Sequence, residues 1–193
     1  TAEMLEMMFA VAAMALAAIL SAPAFADPDA ALAKLQETVL SKGPSGEDPS
    51  PASDVVLSDE ELAKIKEMGA TAAIVMHYAG NDWSQAQING LQTQFAAMGI
   101  KVISVTDAGF KPEKQVSDLE TIMAQSPDII VSIPTDPTAT AAAYRAAHEA
   151  GAKLVFMDNV PTGFVPGTDY VSVVSADNYG NGVAAAHLMA KAL

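Results

Sequence analysis

Six side chains with chemical potential fall within eight positions: His77, Tyr78, Asn81, Asp82, Trp83 and Ser84. They separate the apolar run "ATAAIVM" from a segment with helical spacing, and Trp83 is the only tryptophan in the chain. Four further apolar runs end in polar or aromatic residues: Asp107 with Phe110, Thr135 with Asp136, Asp158 with Asn159, and Asp177 with Asn178. This collection suits recognition of a polyhydroxylated molecule. A carboxylate or carboxamide can engage neighbouring hydroxyls, and bonds to a charged acceptor are the stronger kind. An indole covers the apolar C–H face of a sugar ring and leaves the hydroxyl rim to polar groups. The expected binding set is His77, Asn81, Trp83, Ser84, Asp158 and Asn159, with Tyr78, Asp107, Asp136 and Asp177 behind them.

Several of these residues also fit a purely local role. Asp136 before Pro137 is a favourable helix cap, Asn81 or Asp82 could cap the helix that follows them, and Asp177 or Asn178 the last helix. His77 could be a satisfied histidine at the core edge, while His148 and His187 fall on helical segments. Asp158-Asn159 resists this treatment, because "MDNVPTGF" leads into a loop with no helix to cap.

What must position these residues is legible in the hydrophobic periodicity. "ATAAIVMH", "IKVISVT", "DIIVSI", "KLVFM" and "YVSVVS" are continuous apolar runs of strand length. Between them lie amphipathic segments: Ile88, Leu91, Phe95 and Met98 stopping at Gly99; Val116, Leu119, Ile122 and Met123 starting from Pro112; a helix from an Asp136 cap to Gly151; and a last helix from about Asn178. Strands apolar throughout, each followed by a helix, specify a parallel sheet covered on both faces. The expected fold is α/β, doubly wound and flavodoxin-like, with ligands beyond the carboxyl ends of the strands.

The flanks read differently. Residues 9–20 form a twelve-residue apolar run, too short for the roughly 20 residues a membrane span needs. With Ala24-Phe25-Ala26 after it, residues 1–26 read as a secretory signal peptide, although the "TAEMLEMM" start is acidic where such signals are basic. Residues 27–69 form an extension: a short helical pattern, a Gly/Pro/Ser/acid-rich linker, and a capping box at Ser58-Asp59-Glu60-Glu61. The first α/β lobe is expected over 70–176, with a crossing and helix over 177–193. With no Cys, neither disulfides nor a lipid anchor is expected, which places the mature protein free in a periplasm. A net charge of −13 argues against nucleic acid and anionic membranes as partners and leaves neutral or cationic small molecules open.

Motifs for catalysis are few. There is no G-x-S-x-G elbow, no Walker A loop, no Cys nucleophile and no pair of nearby His for a metal. Gly180-Asn181-Gly182-Val183-Ala184-Ala185 matches G-x-G-x-x-A by letter, but it follows the fifth strand and not the first, and no acidic residue stands about 20 positions on. No cofactor and no metal is expected. A nucleotide-dependent enzyme using this turn is the alternative from another class, as is a sugar-sensing effector or chemoreceptor domain.

From residue 70 to 193 the sequence resembles the first lobe of a type I periplasmic sugar-binding protein of the ribose-binding family. "PTDP" after the third strand, "MDN" after the fourth and "SADNYGNG" near the end carry the resemblance. It implies a monomeric two-lobed receptor that closes on a sugar or polyol and hands it to the membrane permease of an ABC importer, with this chain ending in the second lobe's first helix. His77, Asn81, Trp83 and Ser84 align with the family's first-loop contacts, and Asp158 with its hydroxyl-binding acid. Asn159 departs from the ribose pattern, which has Arg there. The lost bidentate donor disfavours ribose and favours another pentose, a hexose or a sugar alcohol.

Overall fold

The computed structural model describes residues 27–193; the signal peptide expected over 1–26 lies outside them. The described residues divide into two compact units, one made of the segment up to Ser41 with Asp177–Leu193, the other of Lys42–Ala176.

The larger unit holds a five-stranded sheet of β1 (Thr71–Met76), β2 (Lys101–Asp107), β3 (Ile129–Ser132), β4 (Lys153–Met157) and β5 (Ser172–Val174). The order is β2-β1-β3-β4-β5 and every pairing is parallel, which is the doubly wound architecture expected from the alternating pattern. Successive side chains of a strand point to opposite faces, and both faces of β1 are apolar. Ala72, Ile74 and Met76 join one core with Ile88, Phe95 and Val131, whereas Ala73 and Val75 join the other with Leu119, Ile122, Tyr144 and Phe156.

Four helices belong to this unit: α2 (Asp59–Met68), α3 (Asp82–Ala97), α4 (Pro112–Met123) and α5 (Ala141–Glu149). The capping box at α2 forms as expected, with Ser58 and Glu61 satisfying each other's backbone amides and Gly69 ending the helix in the left-handed region. Helix α5 corrects the sequence reading. It begins at Ala141, four residues beyond Pro137. Asp136 Oδ1 does accept the Thr138 and Ala139 amides at 2.8 and 2.7 Å, but it closes a turn that precedes the helix. A buried chain of polar groups ties α5 to the sheet: the Tyr144 hydroxyl donates to Ser132 Oγ, which donates to the Val75 carbonyl at 2.7 Å. Burial pushes the Tyr144 phenol well above its ordinary pKa, so it stays a neutral donor.

In the smaller unit α1 (Pro28–Leu35) packs against α6 (Asn178–Ala192). Asp177 organises it. Its carboxylate accepts the amides of Leu40 (2.8 Å), Ser41 (2.9 Å) and Gly180 (2.9 Å) and the Ser41 hydroxyl (2.7 Å). The Leu40 amide, with these other donors, holds the Asp177 carboxyl down at about 2.

Candidate ligand-binding site

The order of the strands reverses at β1, whose neighbours β2 and β3 lead away on opposite sides. A crevice opens at such a switch point beyond the carboxyl ends of the strands, and the loop from His77 to Asn81 leaves β1 there. Two backbone bonds tie the β2 exit to it: Ala108 N–H to the Met76 carbonyl (3.0 Å) and Phe110 N–H to the His77 carbonyl (2.8 Å). The second bond needs a sharp reversal, and Gly109 (φ +58°) and Phe110 (φ +60°) both take the left-handed conformation to make it. Glycine does so freely; phenylalanine is strained there, by about 1–2 kcal/mol.

That reversal assembles an aromatic cluster. The Phe110 ring stacks on Tyr78 at 4.7 Å and 15°, and stands edge-on to His77 at 5.1 Å. Trp83 meets His77 edge-to-face at 6.1 Å. Phe110 and Trp83 remain 58% and 51% exposed, so each still offers aromatic surface to a ligand.

The first turn of α3 presents the polar members of the loop. Asn81 is the helix cap, its Oδ1 accepting the Ser84 amide at 2.8 Å, so its oxygen is committed and only its amide hydrogens remain to give. Ser84 is fully buried, with no partner for its hydroxyl. The buried Nδ1 of His77 and the Thr135 hydroxyl are likewise without partners in the protein. Buried polar groups of this kind nearly always find a bond.

Asp158 follows β4 with φ +58°, in a three-residue turn closed by the Asn159 amide on the Met157 carbonyl at 2.7 Å. Strain of this kind costs about 1–3 kcal/mol and gathers at functional sites. The turn is held by the Asp158 amide on the Val174 carbonyl (2.9 Å) and by the Ser175 hydroxyl on Asp158 Oδ1 (3.1 Å). Burial lowers the His77 pKa, while the charges of Asp158 and Asp107 act in the opposite sense. Both carboxylates therefore lie within electrostatic reach of the same imidazole. Asn159 is exposed beside them.

His77, Tyr78, Trp83 and Phe110 thus come together, with Asn81 and Ser84 on the adjoining helical turn, while Asp107 and Asp158 stand at the exits of β2 and β4 on the same edge of the sheet. Asp136 turns its carboxylate to its own loop, and Asp177 is a cap in the smaller unit. Two residues outside the expected set matter. Phe110 supplies a second exposed ring beside Trp83. Gln115, fully buried, donates Nε2–H to the Ile133 carbonyl (2.8 Å) and accepts the Thr135 amide (2.7 Å), which pins the exit of β3. Its signal was present in the sequence: Gln115 shares the helical stripe of Leu119 and Ile122, where a polar residue must find buried partners.

The glycine motif of α6 has a local explanation. A Cβ on Gly180 would lie 2.1 Å from Asp177 Oδ2, so the absence of a side chain admits the capping carboxylate. The helix N-terminus where a pyrophosphate would sit already holds an anion. Among the described residues no helix is long and apolar enough to cross a membrane, and no three His, Cys, Asp or Glu side chains are grouped to hold a metal.

A parallel α/β lobe of this kind carries its loops beyond the carboxyl ends of the strands, where open α/β sheets bind ligands. The chain belongs to the periplasmic binding protein domain family, whose match covers residues 72–193. Among solved structures, the myo-inositol binding protein of Caulobacter, bound to myo-inositol, aligns with 27% identity and a TM-score of 0.56 over 64% of this chain and 40% of its own. An ABC transporter solute binding protein from Agrobacterium vitis, bound with alpha-D-tagatopyranose, aligns with 26% identity and a TM-score of 0.50, covering 56% and 39%. The sugar-binding protein of a sugar ABC transporter from Bacillus halodurans shares the fold at 24% identity and a TM-score of 0.54, covering 63% and 40%. The chain spans about two fifths of the length of these relatives. No curated protein sequence matches it.

Proposed function

We propose that the chain forms one lobe of a periplasmic receptor that captures a sugar or polyol and delivers it to the permease of an ABC importer. The observation that carries this reading is the group at the carboxyl edge of the sheet: Trp83 and Phe110 with aromatic surface exposed, and the carboxylate of Asp158 on a strained turn at the exit of β4. The aromatic faces would take the C–H face of a ring and Asp158 its hydroxyls. His77, Asn81, Ser84 and Asn159 would supply the remaining bonds. A second lobe would close over the ligand and exclude water, which is how such sites reach useful affinity. Solved relatives bound to myo-inositol and to tagatopyranose support the choice of ligand class.

The test is titration of the full-length protein with pentoses, hexoses and sugar alcohols, followed by tryptophan fluorescence and calorimetry. Saturable binding of one class is expected, with Trp83→Ala losing most of the affinity and little melting temperature. A large melting loss with unchanged affinity would assign Trp83 to packing, and no binding by any carbohydrate would overturn the proposal.

A further inference from the structure

The two free edges of the sheet are guarded unequally. A strand edge presents unpaired N–H and C=O groups, and proteins blunt it with short strands, bulges, Pro or charge. At one edge β5 is only three residues long. At the other, β2 has seven, the longest strand of the five, and no Pro. Its first half carries protection: Lys101 is exposed, and the register against β1 shifts between Val102 and Ser104. Its second half has none before Asp107. Ser104–Asp107 runs in regular register with Ala73–Met76, and Val105 is 40% exposed.

The backbone of that half is open on the side away from β1. The Ala108 amide donates to the Met76 carbonyl of β1 at 3.0 Å. Backbone groups alternate in direction along a strand. Thr106 and Ser104 therefore also turn to β1, whereas the N–H and C=O of Val105 and the Asp107 amide turn outward. Among the described residues only β1 pairs with β2. The sequence of this edge is complementary to itself. Laid antiparallel on a second copy about Val105, it sets Val105 against Val105 and Ser104 against Thr106, apolar and hydroxyl pairs that stabilise a sheet. Lys101 then lies diagonally opposite Asp107 of the other copy, where a long side chain reaches. Neither Lys101 nor Asp107 belongs to an ion pair among the described residues. A parallel pairing in register would instead set like charges together.

We propose that this edge is the contact between two copies of the chain, joined antiparallel through β2 into one continuous sheet with a two-fold axis at Val105. Such a contact is isologous, so each interaction occurs twice. Backbone bonds between the two Val105 residues and two Lys101–Asp107 ion pairs hold it. The surface is small and each copy carries −13, so the dimer is weak, in the micromolar range. The family resemblance implies a monomer; the dimer rests on the strand edge alone and does not depend on the ligand being a sugar.

Sedimentation equilibrium of the full-length protein from about 1 μM to about 1 mM tests this. A monomer–dimer equilibrium is expected. Amide exchange at Val105 and Asp107 should slow as concentration rises, while Ser104 and Thr106, already bonded to β1, stay unchanged. Val105→Lys places a charge from each copy at the axis and should abolish the dimer. Lys101→Glu turns both ion pairs into repulsions and should weaken it about tenfold or more. Both positions are exposed, so each variant monomer should melt as the wild type does. A monomer at every concentration would overturn the proposal. So would a dimer that Val105→Lys or Lys101→Glu leaves at wild-type strength, or one in which Val105 and Asp107 exchange equally fast at low and high concentration. Sugar titration of the same samples reads the carbohydrate function separately.

Discussion

The two edges of the sheet use aspartate in opposite ways. At the amino edge Asp128 is spent on the fold: its Oδ2 accepts the Thr71 amide at 2.7 Å and the Thr71 hydroxyl at 2.9 Å, and its carbonyl accepts the Lys153 amide at 2.8 Å. One residue thereby aligns the starts of β1, β3 and β4. At the carboxyl edge Asp158 takes a single hydroxyl from the protein and sits on a left-handed turn that costs energy. Asp177, in the smaller unit, behaves like Asp128, with four donors on its carboxylate. An aspartate whose carboxylate gathers donors from distant strands or segments is part of the scaffold. One that is strained and half-empty is available to a ligand.

The largest expected effect comes from the residue that joins scaffold to site. Gln115→Leu should leave the Ile133 carbonyl and the Thr135 amide without partners inside the protein. At about 1–3 kcal/mol for each orphaned group, the loss should be about 2–6 kcal/mol of unfolding free energy, read from urea melts. Sugar affinity should fall as well, because the exit of β3 is no longer fixed. Unchanged urea stability would show that α4 does not hold this edge.

Next comes a paired exchange across the sheet. Asp158→Asn should cost about 1.5–3 kcal/mol of sugar affinity, the range for bonds to a charged acceptor, with little change in melting temperature. Asp128→Asn should reverse the pattern, lowering the melting temperature while affinity holds. Equal behaviour of the two variants would erase the distinction between the edges.

A smaller effect should appear in acid. The Thr71 amide and hydroxyl hold the Asp128 carboxyl below its ordinary value, and Asp177 is held at about 2. A carboxyl depressed in the folded state binds its proton more weakly than in the unfolded chain. Its contribution is complete above about pH 4 and is lost as pH falls toward the folded value. His77 is also depressed, by burial, so its contribution is complete above about pH 6.5 and declines below it. Melting temperature should therefore slip slightly below pH 6.5 and further below pH 4, solvent screening of these exposed carboxyls keeping the acid limb shallow. Asp128→Asn should flatten the acid limb, and His77→Gln should remove the earlier slope. Limbs unaltered in these variants would assign the pH dependence elsewhere.

The fold was more legible than the site for a physical reason. Strand and helix periodicity is written into many residues at once, so Ile74, Met76, Ile88 and Phe95 each report the same packing. The start of α5 escaped because Asp136-Pro137 has the residues of a helix cap, and only the backbone path decides whether a cap closes a turn or a helix. Trp83 and Asp158 could be singled out because an indole at a polar helix start and an acid in a loop have no local purpose that composition supplies. Phe110 is marked in the sequence only as a strand-end neighbour of Asp107, since its place in the cluster rests on two consecutive left-handed residues that an "AGF" sequence does not announce. Which aspartates are filled is likewise a matter of distant donors: Thr71 lies 57 residues from Asp128, and Leu40 lies 137 from Asp177.

The smallest change separates site geometry from stability most cleanly. A Cβ built on Gly80 would lie 2.2 Å from Tyr78 Oη and 2.4 Å from its Cζ, so an alanine there must push the phenol aside. The backbone itself tolerates alanine, since Gly80 is not among the glycines with positive φ. Gly80→Ala then brings two opposed contributions. Restricting the unfolded chain stabilises by about 0.4–1 kcal/mol, and losing the Tyr78–Phe110 stack costs about 0.5–1.5 kcal/mol. These nearly cancel, and the melting temperature should stay within a degree or two. Phe110 no longer has a ring to lie against, so the aromatic surface at the switch point becomes mobile. Sugar affinity should drop about three- to tenfold, the factor that the same stacking energy represents. A variant with wild-type affinity would show that the Tyr78–Phe110 stack only shields the β1 and β2 exits, leaving Trp83 as the ring that meets the ligand.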